Sequence, residues 1–260
     1  MKVNDFATQI WPFREYYGQD MLGTFERLAE IGFAAVELCR WYTWTDLFDK
    51  WSAEEIRLAS QQAGIQVISS HIYYPMIFES NLDEVVRFCH TVGMKYAIVA
   101  AVPADQSGSR QDLLRVADLF NQAAQALKPE GIQVGYHNHG FDFQPLADSG
   151  ELPWELLFDN TDPEVVMQID IGNARQGGAD PVHYLEKYPG RTRLVHLKEY
   201  AAGRAVEAIG DGEVDWGAVI AACERFQLPE WYIVEQEEPD YDPWVSAERS
   251  LAYLRKTLKD

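Results

Sequence analysis

The chain has 260 residues, 47% of them hydrophobic and 24% charged, a composition typical of a globular protein with a packed core. Its 41 acidic residues outnumber its 22 basic ones, so the net charge of −19 argues against a surface for nucleic acid or anionic membranes, which requires clustered Lys and Arg. Three scattered cysteines and the lack of an apolar run near about 18 residues predict a cytoplasmic protein without disulfides or a membrane partner.

One plan recurs along the chain, namely helical apolar spacing, a glycine and then a short β-rich run. The glycines at 32, 64, 93 and 131 stand where helices commonly end in a left-handed residue. Strands are predicted near residues 7–11, 34–38, 66–70, 96–101, 133–137, 165–171, 193–197 and 231–235. Most are spaced by about 30 residues, the size of a βα unit, and eight such units predict a (β/α)8 barrel. A doubly wound sheet is the alternative, but its glycine-rich nucleotide motif is absent, and we expect one domain over residues 1–260.

Polar and aromatic residues follow the predicted strands in chain order. In a (β/α)8 barrel the carboxyl ends of the strands meet at one face, so these side chains are expected to lie together. A charged group in an apolar strand is costly unless it is paired or bound to a metal. Imidazole and carboxylate ligands together suit Mn²⁺, Zn²⁺ or Co²⁺. From the first strand to the eighth the candidates are Trp11, Glu37, Trp41, Trp44, His71, Tyr73, His137, His139, Asp170, His196, Lys198, Glu235 and Glu237.

The stretch GYHNHGF at residues 135–141 places two histidines at the end of the fifth strand. His137 and His139 share one face of an extended strand, whereas Tyr136 and Asn138 point to the other. Four of the six histidines are strand-end candidates. The other two, His90 and His183, lie inside helical segments, and we expect no role for them in a site.

Several motifs resemble those of the xylose isomerase-like (β/α)8 superfamily, often called sugar phosphate isomerases/epimerases. They are YHNHGF (136–141), QIDIGNA (168–174), VHLKEY (195–200), GDGEVDW (210–216) and IVEQE (233–237). The resemblance implies one divalent ion, manganese first and cobalt, zinc, magnesium or iron as alternatives. Its implied ligands are Asp170, His196, Glu235 and, where the family usually has Glu, His137. The fifth-strand motif also resembles inosose dehydratases and 3-keto-glycoside lyases, and Asn173 stands where many members have His.

The resemblance implies proton removal next to a carbonyl of a sugar or keto-sugar, through an enediolate that the metal stabilises. An isomerase or epimerase is the first reading, and a lyase or hydratase of a 3-keto-glycoside or keto-inositol is the alternative. A sugar-binding barrel without catalysis is a third, and the acidic charge opposes an apurinic endonuclease. The small-molecule partner would be an unphosphorylated carbohydrate, and a homo-oligomer is compatible with each reading.

The expected roles follow from chemistry and position. His139 and Glu235 compete as the general base, since an imidazole titrates near neutral pH. Lys198 would bind a hydroxyl or the oxyanion, unless it forms a rim ion pair with Glu199 or Glu237. The expected substrate contacts are Glu37, His71, Asn173 and the aromatic rings of Trp11, Trp41 and Tyr73.

Overall fold

Eight parallel strands close into a barrel in which each strand pairs with its neighbours in chain order. The computed structural model describes residues 6–42, 45–79, 81–227, 229–237 and 240–257, so Trp44 lies outside the described residues. The strands are β1 (Phe6–Gln9), β2 (Ala35–Arg40), β3 (Gln66–Ile72), β4 (Tyr96–Val99), β5 (Gln133–His137), β6 (Val166–Asp170), β7 (Leu194–Leu197) and β8 (Trp231–Val234). The predicted (β/α)8 barrel is therefore confirmed, while the extent of the single domain stays a prediction.

Helices cover the outside of the barrel, and the glycines predicted to end them do so. Gly32, Gly64, Gly93 and Gly131 all have positive φ in the left-handed region. The α-helices are α1 (Arg14–Gln19), α2 (Met21–Ile31), α3 (Ala53–Ala63), α4 (Tyr74–Phe78), α5 (Leu82–Val92), α6 (Arg110–Leu127), α7 (Pro153–Asp159), α8 (Ile171–Gln176), α9 (Pro181–Lys187), α10 (Trp216–Ala222) and α11 (Pro243–Thr257). Among the described residues, none of these helices has the length and apolarity needed to span a bilayer.

The first predicted strand is too long at its carboxyl end. It was expected to reach residue 11, but β1 ends at Gln9 and residues Trp11–Phe13 form a 3₁₀ turn. Pro12 explains the difference, because its ring removes the backbone N–H that a ladder needs and presets φ for a turn. Trp11 consequently belongs to the loop above the barrel.

The barrel interior is apolar at its middle and polar at its carboxyl end. A buried apolar layer comes from Ala7, Ala35, Ile68, Tyr96, Ile98, Val166, Leu194 and Ile233. Because side chains alternate across a strand, the residue two positions later projects into the same interior. Those later residues include Gln9, Glu37, Gln168, His196 and Glu235, all buried, and the buried His137 follows Gly135 on β5 in the same way. The polar layer therefore rests directly on the apolar one.

Gly135 on β5 tests how tightly this interior is packed. An added Cβ would lie 2.6 Å from the Val166 carbonyl oxygen and 2.8 Å from Ile98 Cδ1. We expect Gly135→Ala to lower the free energy of unfolding by about 1–3 kcal/mol, the usual cost of overpacking. Gly217→Ala on α10 is the control, since its Cβ would come no closer than 3.4 Å to Asp215 Oδ1 and alanine favours a helix. Equal denaturation midpoints for the two variants would contradict the packing argument.

Candidate metal centre and active site

Four consecutive strands bring four buried ligand groups together. His137 ends β5, Asp170 ends β6, His196 lies on β7 and Glu235 follows β8. One ligand atom from each lies within 4.8 Å of those of the others, and Asp170 pairs in register with His196. The four ligands that the family resemblance implies thus form one cluster, which we call the four-residue cluster.

Asp170 carries the strongest sign that a cation fits this cluster. Its Oδ1 accepts the Asn173 backbone N–H at 2.6 Å, whereas its Oδ2 is buried and has no hydrogen-bond partner among the described residues. Burial raises the pKa of Asp170 to about 7, against the opposing effect of Lys198. A divalent ion would satisfy the orphaned oxygen. The set of two imidazoles and two carboxylates suits Mn²⁺, Co²⁺, Zn²⁺ or Fe²⁺.

The backbone of Asp170 is held by a side chain from the neighbouring strand. Asn138 Oδ1 accepts the Asp170 N–H at 2.7 Å, and Asn138 Nδ2 donates to the Asp170 carbonyl at 3.1 Å. Asn173 Nδ2 in turn donates to the Asn138 carbonyl at 3.1 Å. The Asn173 amide therefore braces the ends of β5 and β6, and its expected contact with substrate stays a prediction.

Glu37 has both carboxylate oxygens engaged by the protein, and its expected contact with a sugar stays a prediction. Its Oε1 accepts from Ser69 Oγ and Gln168 Nε2, each at 2.7 Å. Its Oε2 lies 2.6 Å from His196 Nε2 and 3.1 Å from His71 Nε2. Burial raises the pKa of Glu37, but the two histidines outweigh it and hold the pKa well below its ordinary value. A sugar hydroxyl would have to displace one of these contacts.

Gln168 is a residue of the site that sequence reasoning missed. Its Oε1 lies 3.1 Å from His137 Nδ1 and 2.9 Å from His71 Nε2. The overlooked signal was the two-residue period of a strand, since Gln168 precedes Asp170 by two positions and Ser69 precedes His71 by two. Gln9 was missed for the same reason, and its Nε2 donates to Glu37 Oε2 at 2.9 Å.

His139 stands above the cluster as a neutral imidazole. Its ring lies parallel to that of Phe141, with centroids 5.3 Å apart, and edge-on to that of His137 at 5.2 Å. Burial lowers the pKa of His139 to about 4, against the opposing charge of Glu235. Its Nδ1 is buried and unpartnered within the described part of the chain. A neutral ring with a free nitrogen is able to accept a proton.

Lys198 is a charged group on the same side of the site. Burial lowers the pKa of Lys198, but the carboxylates of Asp170, Glu237 and Glu235 outweigh it and raise the pKa above its ordinary value. Its Nζ donates to Glu237, one of the two ion-pair partners that the sequence suggested. Glu199, the other, is buried and accepts the backbone N–H groups of Tyr200, Gly210 and Val214 and the indole N–H of Trp216.

A cavity of about 560 Å³ opens beside His139 and Lys198. Residues 199–206, after β7, form much of its wall, and Glu199 fixes this loop through the four hydrogen bonds just described. Its polar lining includes His139, Asn173, Gln176, Lys198, Arg204 and Glu237. Room for a polar small molecule therefore lies next to the four-residue cluster.

The three aromatic residues expected at the substrate lie in the loops after β1, β2 and β3. All are half-buried. Each packs on one neighbouring ring, Trp11 on Phe48, Trp41 on Phe88 and Tyr73 on Tyr42. Trp41 has a φ of 61°, the one positive value outside glycine in the described residues. Their stacking on a sugar stays a prediction. His90 and His183 lie on α5 and α9, outside the cluster.

Residues 25–257 match the family model described as xylose isomerase-like TIM barrel, and the chain belongs to that family. The inosose dehydratase of Geobacillus kaustophilus strain HTA426 is 27% identical over 286 residues, covering 95% of this chain and 88% of the relative. A solved structure of a sugar phosphate isomerase/epimerase from Parabacteroides distasonis superposes with a TM-score of 0.84 at 24% identity, covering 97% and 98% of the two chains. A zinc-bound IolI protein gives a TM-score of 0.70 at 14% identity, over 98% and 96% of the chains.

The suspected family is thus confirmed, and the relatives named above include an inosose dehydratase and a sugar phosphate isomerase/epimerase. The four-residue cluster could hold a metal ion. The identity of the ion, the cytoplasmic location and the assembly of subunits stay predictions.

Asp170→Asn separates metal binding from helix capping. Asparagine keeps an acceptor for the Asn173 N–H but removes the charge of the orphaned oxygen. We expect the affinity for Mn²⁺, Co²⁺ or Zn²⁺, measured by calorimetry, to fall by more than the roughly 10–100-fold typical of outer-shell changes. Asp20→Asn is the matched control, because Asp20 caps α2 by accepting the Gly23 N–H at 2.9 Å. Unchanged affinity in Asp170→Asn would exclude Asp170 as a ligand.

Proposed function

We propose that this protein is a divalent-metal-dependent lyase acting on a keto-sugar or keto-cyclitol. It removes the proton next to the carbonyl and then releases water or an alcohol from the following carbon. The observation that carries this proposal is the fifth strand, which presents two imidazoles, His137 and His139, where the family usually has a carboxylate. The proposal differs from the first reading of the sequence, an isomerase or epimerase, only after the shared proton removal.

The change on β5 removes one half of a symmetric acid–base pair. Epimerisation takes a proton from one face of a carbon and returns one to the other, for which the family's epimerases use two metal-binding glutamates. Here the corresponding positions are Glu235 and His137, and His137 Nδ1 contacts Gln168. An elimination needs one base for the carbon-bound proton and one acid or cation for the leaving group. A single carboxylate with neighbouring imidazoles is enough for that.

His139 is the base in this proposal. Its Nδ1 is buried and unpartnered among the described residues, and its lowered pKa keeps the ring unprotonated at neutral pH. Lys198 stays an ammonium and lines the same cavity, where it can donate to the departing hydroxyl or bind the oxygen that gains charge. When bound by His137, Asp170, His196 and Glu235, a divalent ion supplies Lewis acidity that stabilises negative charge on a carbonyl oxygen.

The nature of the substrate follows from the cavity and from the relatives. The cations of its lining are already engaged, Lys198 by Glu237 and Arg204 by the Asp211 carbonyl. Two cations line the described cavity, and the charge of Lys198 is balanced by Glu237, so the lining offers no cluster of unpaired cations for a phosphate and an unphosphorylated ketone fits better. The inosose dehydratase relative, which aligns over 95% of this chain, supports a dehydration of this type.

An isomerase or epimerase is the second candidate, favoured by one observation. Glu235 and His139 are both proton acceptors near the cluster, and the negative charge of Glu235 acts on His139. Two acceptors that flank one carbon would suffice for proton transfer between faces. The product, rather than the first step, distinguishes this candidate from the lyase.

The protein loaded with Mn²⁺ or Co²⁺ should be incubated with a panel of unphosphorylated keto-sugars, keto-cyclitols and 3-keto-glycosides in deuterated water. The lyase proposal predicts a product lighter than its substrate by one water or one alcohol, detected by mass spectrometry. A recovered ketone that has gained deuterium but lost neither water nor an alcohol would favour the isomerase or epimerase. Ligand binding with neither result would favour a barrel that binds sugars without catalysis.

His139→Gln tests the base. We expect the turnover rate to fall by about 10²–10⁴-fold, the usual contribution of a general base, while the metal content stays that of the wild type. His90→Gln is the matched control, because His90 is exposed on α5 and contacts the Glu130 carbonyl at 3.0 Å. A His139→Gln enzyme as active as the His90→Gln enzyme would transfer the role to Glu235.

A further inference from the structure

A buried carboxylate and a buried amide connect three histidines, two of which belong to the four-residue cluster. Glu37 and Gln168 are fully buried, and between them they contact His71, His137 and His196. Each contact fixes which ring nitrogen carries a hydrogen, and hence which nitrogen is left for a metal. The inference that follows rests on the metal centre of the proposed function.

Glu37 behaves as a pure acceptor. The Trp11 backbone N–H donates to Gln9 Oε1 at 3.2 Å, so Gln9 turns its Nε2 donor to Glu37 Oε2. Ser69 Oγ donates to the other oxygen at 2.7 Å. A carboxylate surrounded in this way accepts every hydrogen bond it makes.

The orientation of the Gln168 amide follows from that carboxylate. The Gln168 atom 2.7 Å from Glu37 Oε1 has to be the donor Nε2, because two acceptors would repel one another. Gln168 Oε1 then faces His137 Nδ1 at 3.1 Å. This oxygen only accepts, so His137 carries its hydrogen on Nδ1. Its Nε2 keeps the lone pair for a metal.

His196 has the opposite arrangement. Its Nε2 lies 2.6 Å from Glu37 Oε2, while its Nδ1 lies 2.6 Å from Glu235 Oε2, a member of the four-residue cluster. When a metal takes the Nδ1 lone pair, the single remaining hydrogen sits on Nε2 and is donated to Glu37. A carboxylate behind a ligating imidazole in this manner orients the ring and raises its basicity.

The same pair fixes the tautomer of His71. Its Nε2 lies 2.9 Å from Gln168 Oε1 and 3.1 Å from Glu37 Oε2, and both atoms are acceptors. Nε2 therefore carries the hydrogen. Of the two groups of side chains close enough to hold an ion, one contains His71 with His137 and His196, and the other is the four-residue cluster. The hydrogen on His71 Nε2 leaves only Nδ1 of that ring, whereas the second group adds two carboxylates that offset the charge of a divalent ion, so we assign the ligands to the second group.

We propose that Glu37, acting directly and through Gln168, is a positioning residue that sets the tautomers of three histidines. His137 binds the metal through Nε2, His196 binds it through Nδ1, and His71 keeps Nε2–H and stays outside the ligand set. The role assigned to Glu37 is thus support of the metal centre in place of contact with a sugar.

The direct test is NMR of the wild-type protein with ¹⁵N-labelled histidine rings, loaded with diamagnetic Zn²⁺. Long-range ¹H–¹⁵N correlations report the tautomer of each ring and the nitrogen that binds zinc. The expected spectra show Nδ1–H with zinc on Nε2 for His137, the reverse for His196, and Nε2–H without zinc for His71. Zinc on Nδ1 of His137, on Nε2 of His196 or on His71 would overturn the proposal.

Two variants test whether Glu37 and Gln168 cause these tautomers. Gln168→Leu removes the acceptor of His137, and Glu37→Gln replaces one carboxylate oxygen by a donor. Each is expected to weaken Zn²⁺ affinity by about 10–100-fold and to change the ring pattern of the histidine it contacts. Ser69→Ala is the matched control, since Ser69 bonds Glu37 but is absent from the histidine contacts. Wild-type patterns and affinity in both variants would contradict the positioning role.

The same experiment separates this inference from the proposed function. A wild-type protein that binds no Zn²⁺, Mn²⁺ or Co²⁺ overturns both. The expected tautomers without turnover of any ketone support the inference and oppose the lyase. Release of water or an alcohol from a ketone, with zinc on Nδ1 of His137 or on Nε2 of His196, would support the lyase and overturn the inference. The wild-type spectra need no variant, so a variant that fails to fold does not remove the test.

Discussion

The buried carboxylate of Glu37 is the constraint around which the polar end of the barrel is arranged. Removing a charge from water costs several kcal/mol unless donors replace the water. Here Gln9, Ser69 and Gln168 supply them, together with the ring nitrogens of His71 and His196. These residues come from β1, β3, β6 and β7, so one carboxylate on β2 fixes side chains on both sides of the barrel.

The four-residue cluster, which could hold a metal ion, lies next to this carboxylate. The apolar layer through Ala7, Val166 and Leu194 supports the polar layer from below, and the four-residue cluster lies in that polar layer. Asn138 holds the backbone of Asp170 through two hydrogen bonds, and Asp170 Oδ2 has no hydrogen-bond partner in the part of the chain that the structure describes. A cation bound at the cluster would give this buried carboxylate oxygen the partner that it lacks.

The proposed chemistry of the site rests on one position of β5, where His137 stands in place of the glutamate usual in the family. In the proposed function, a histidine at position 137 would keep a metal ligand but remove a second carboxylate, and His139 would act as a neutral base beside it. Glu199, through its four N–H contacts, holds the loop that forms part of the cavity wall beside His139. The four-residue cluster, the proposed base and the cavity wall thus come mainly from β5 to β8 and the loop after β7. The strands β1 to β3 contribute Glu37 with part of its donors, and the loops after them carry the aromatic residues.

The sequence by itself predicted the barrel from local periodicity, and its resemblance to the family named the four residues that lie together in the cluster. Short apolar runs spaced by about 30 residues predict eight βα units, and a charged residue such as Asp170 in an apolar run stands out. The tertiary structure alone decided what Glu37, Gln168 and Asn138 do. Whether a polar residue faces substrate, metal or another side chain depends on strand register around the closed barrel. Glu37 meets His196 across 159 positions of sequence, a distance over which no local pattern carries information.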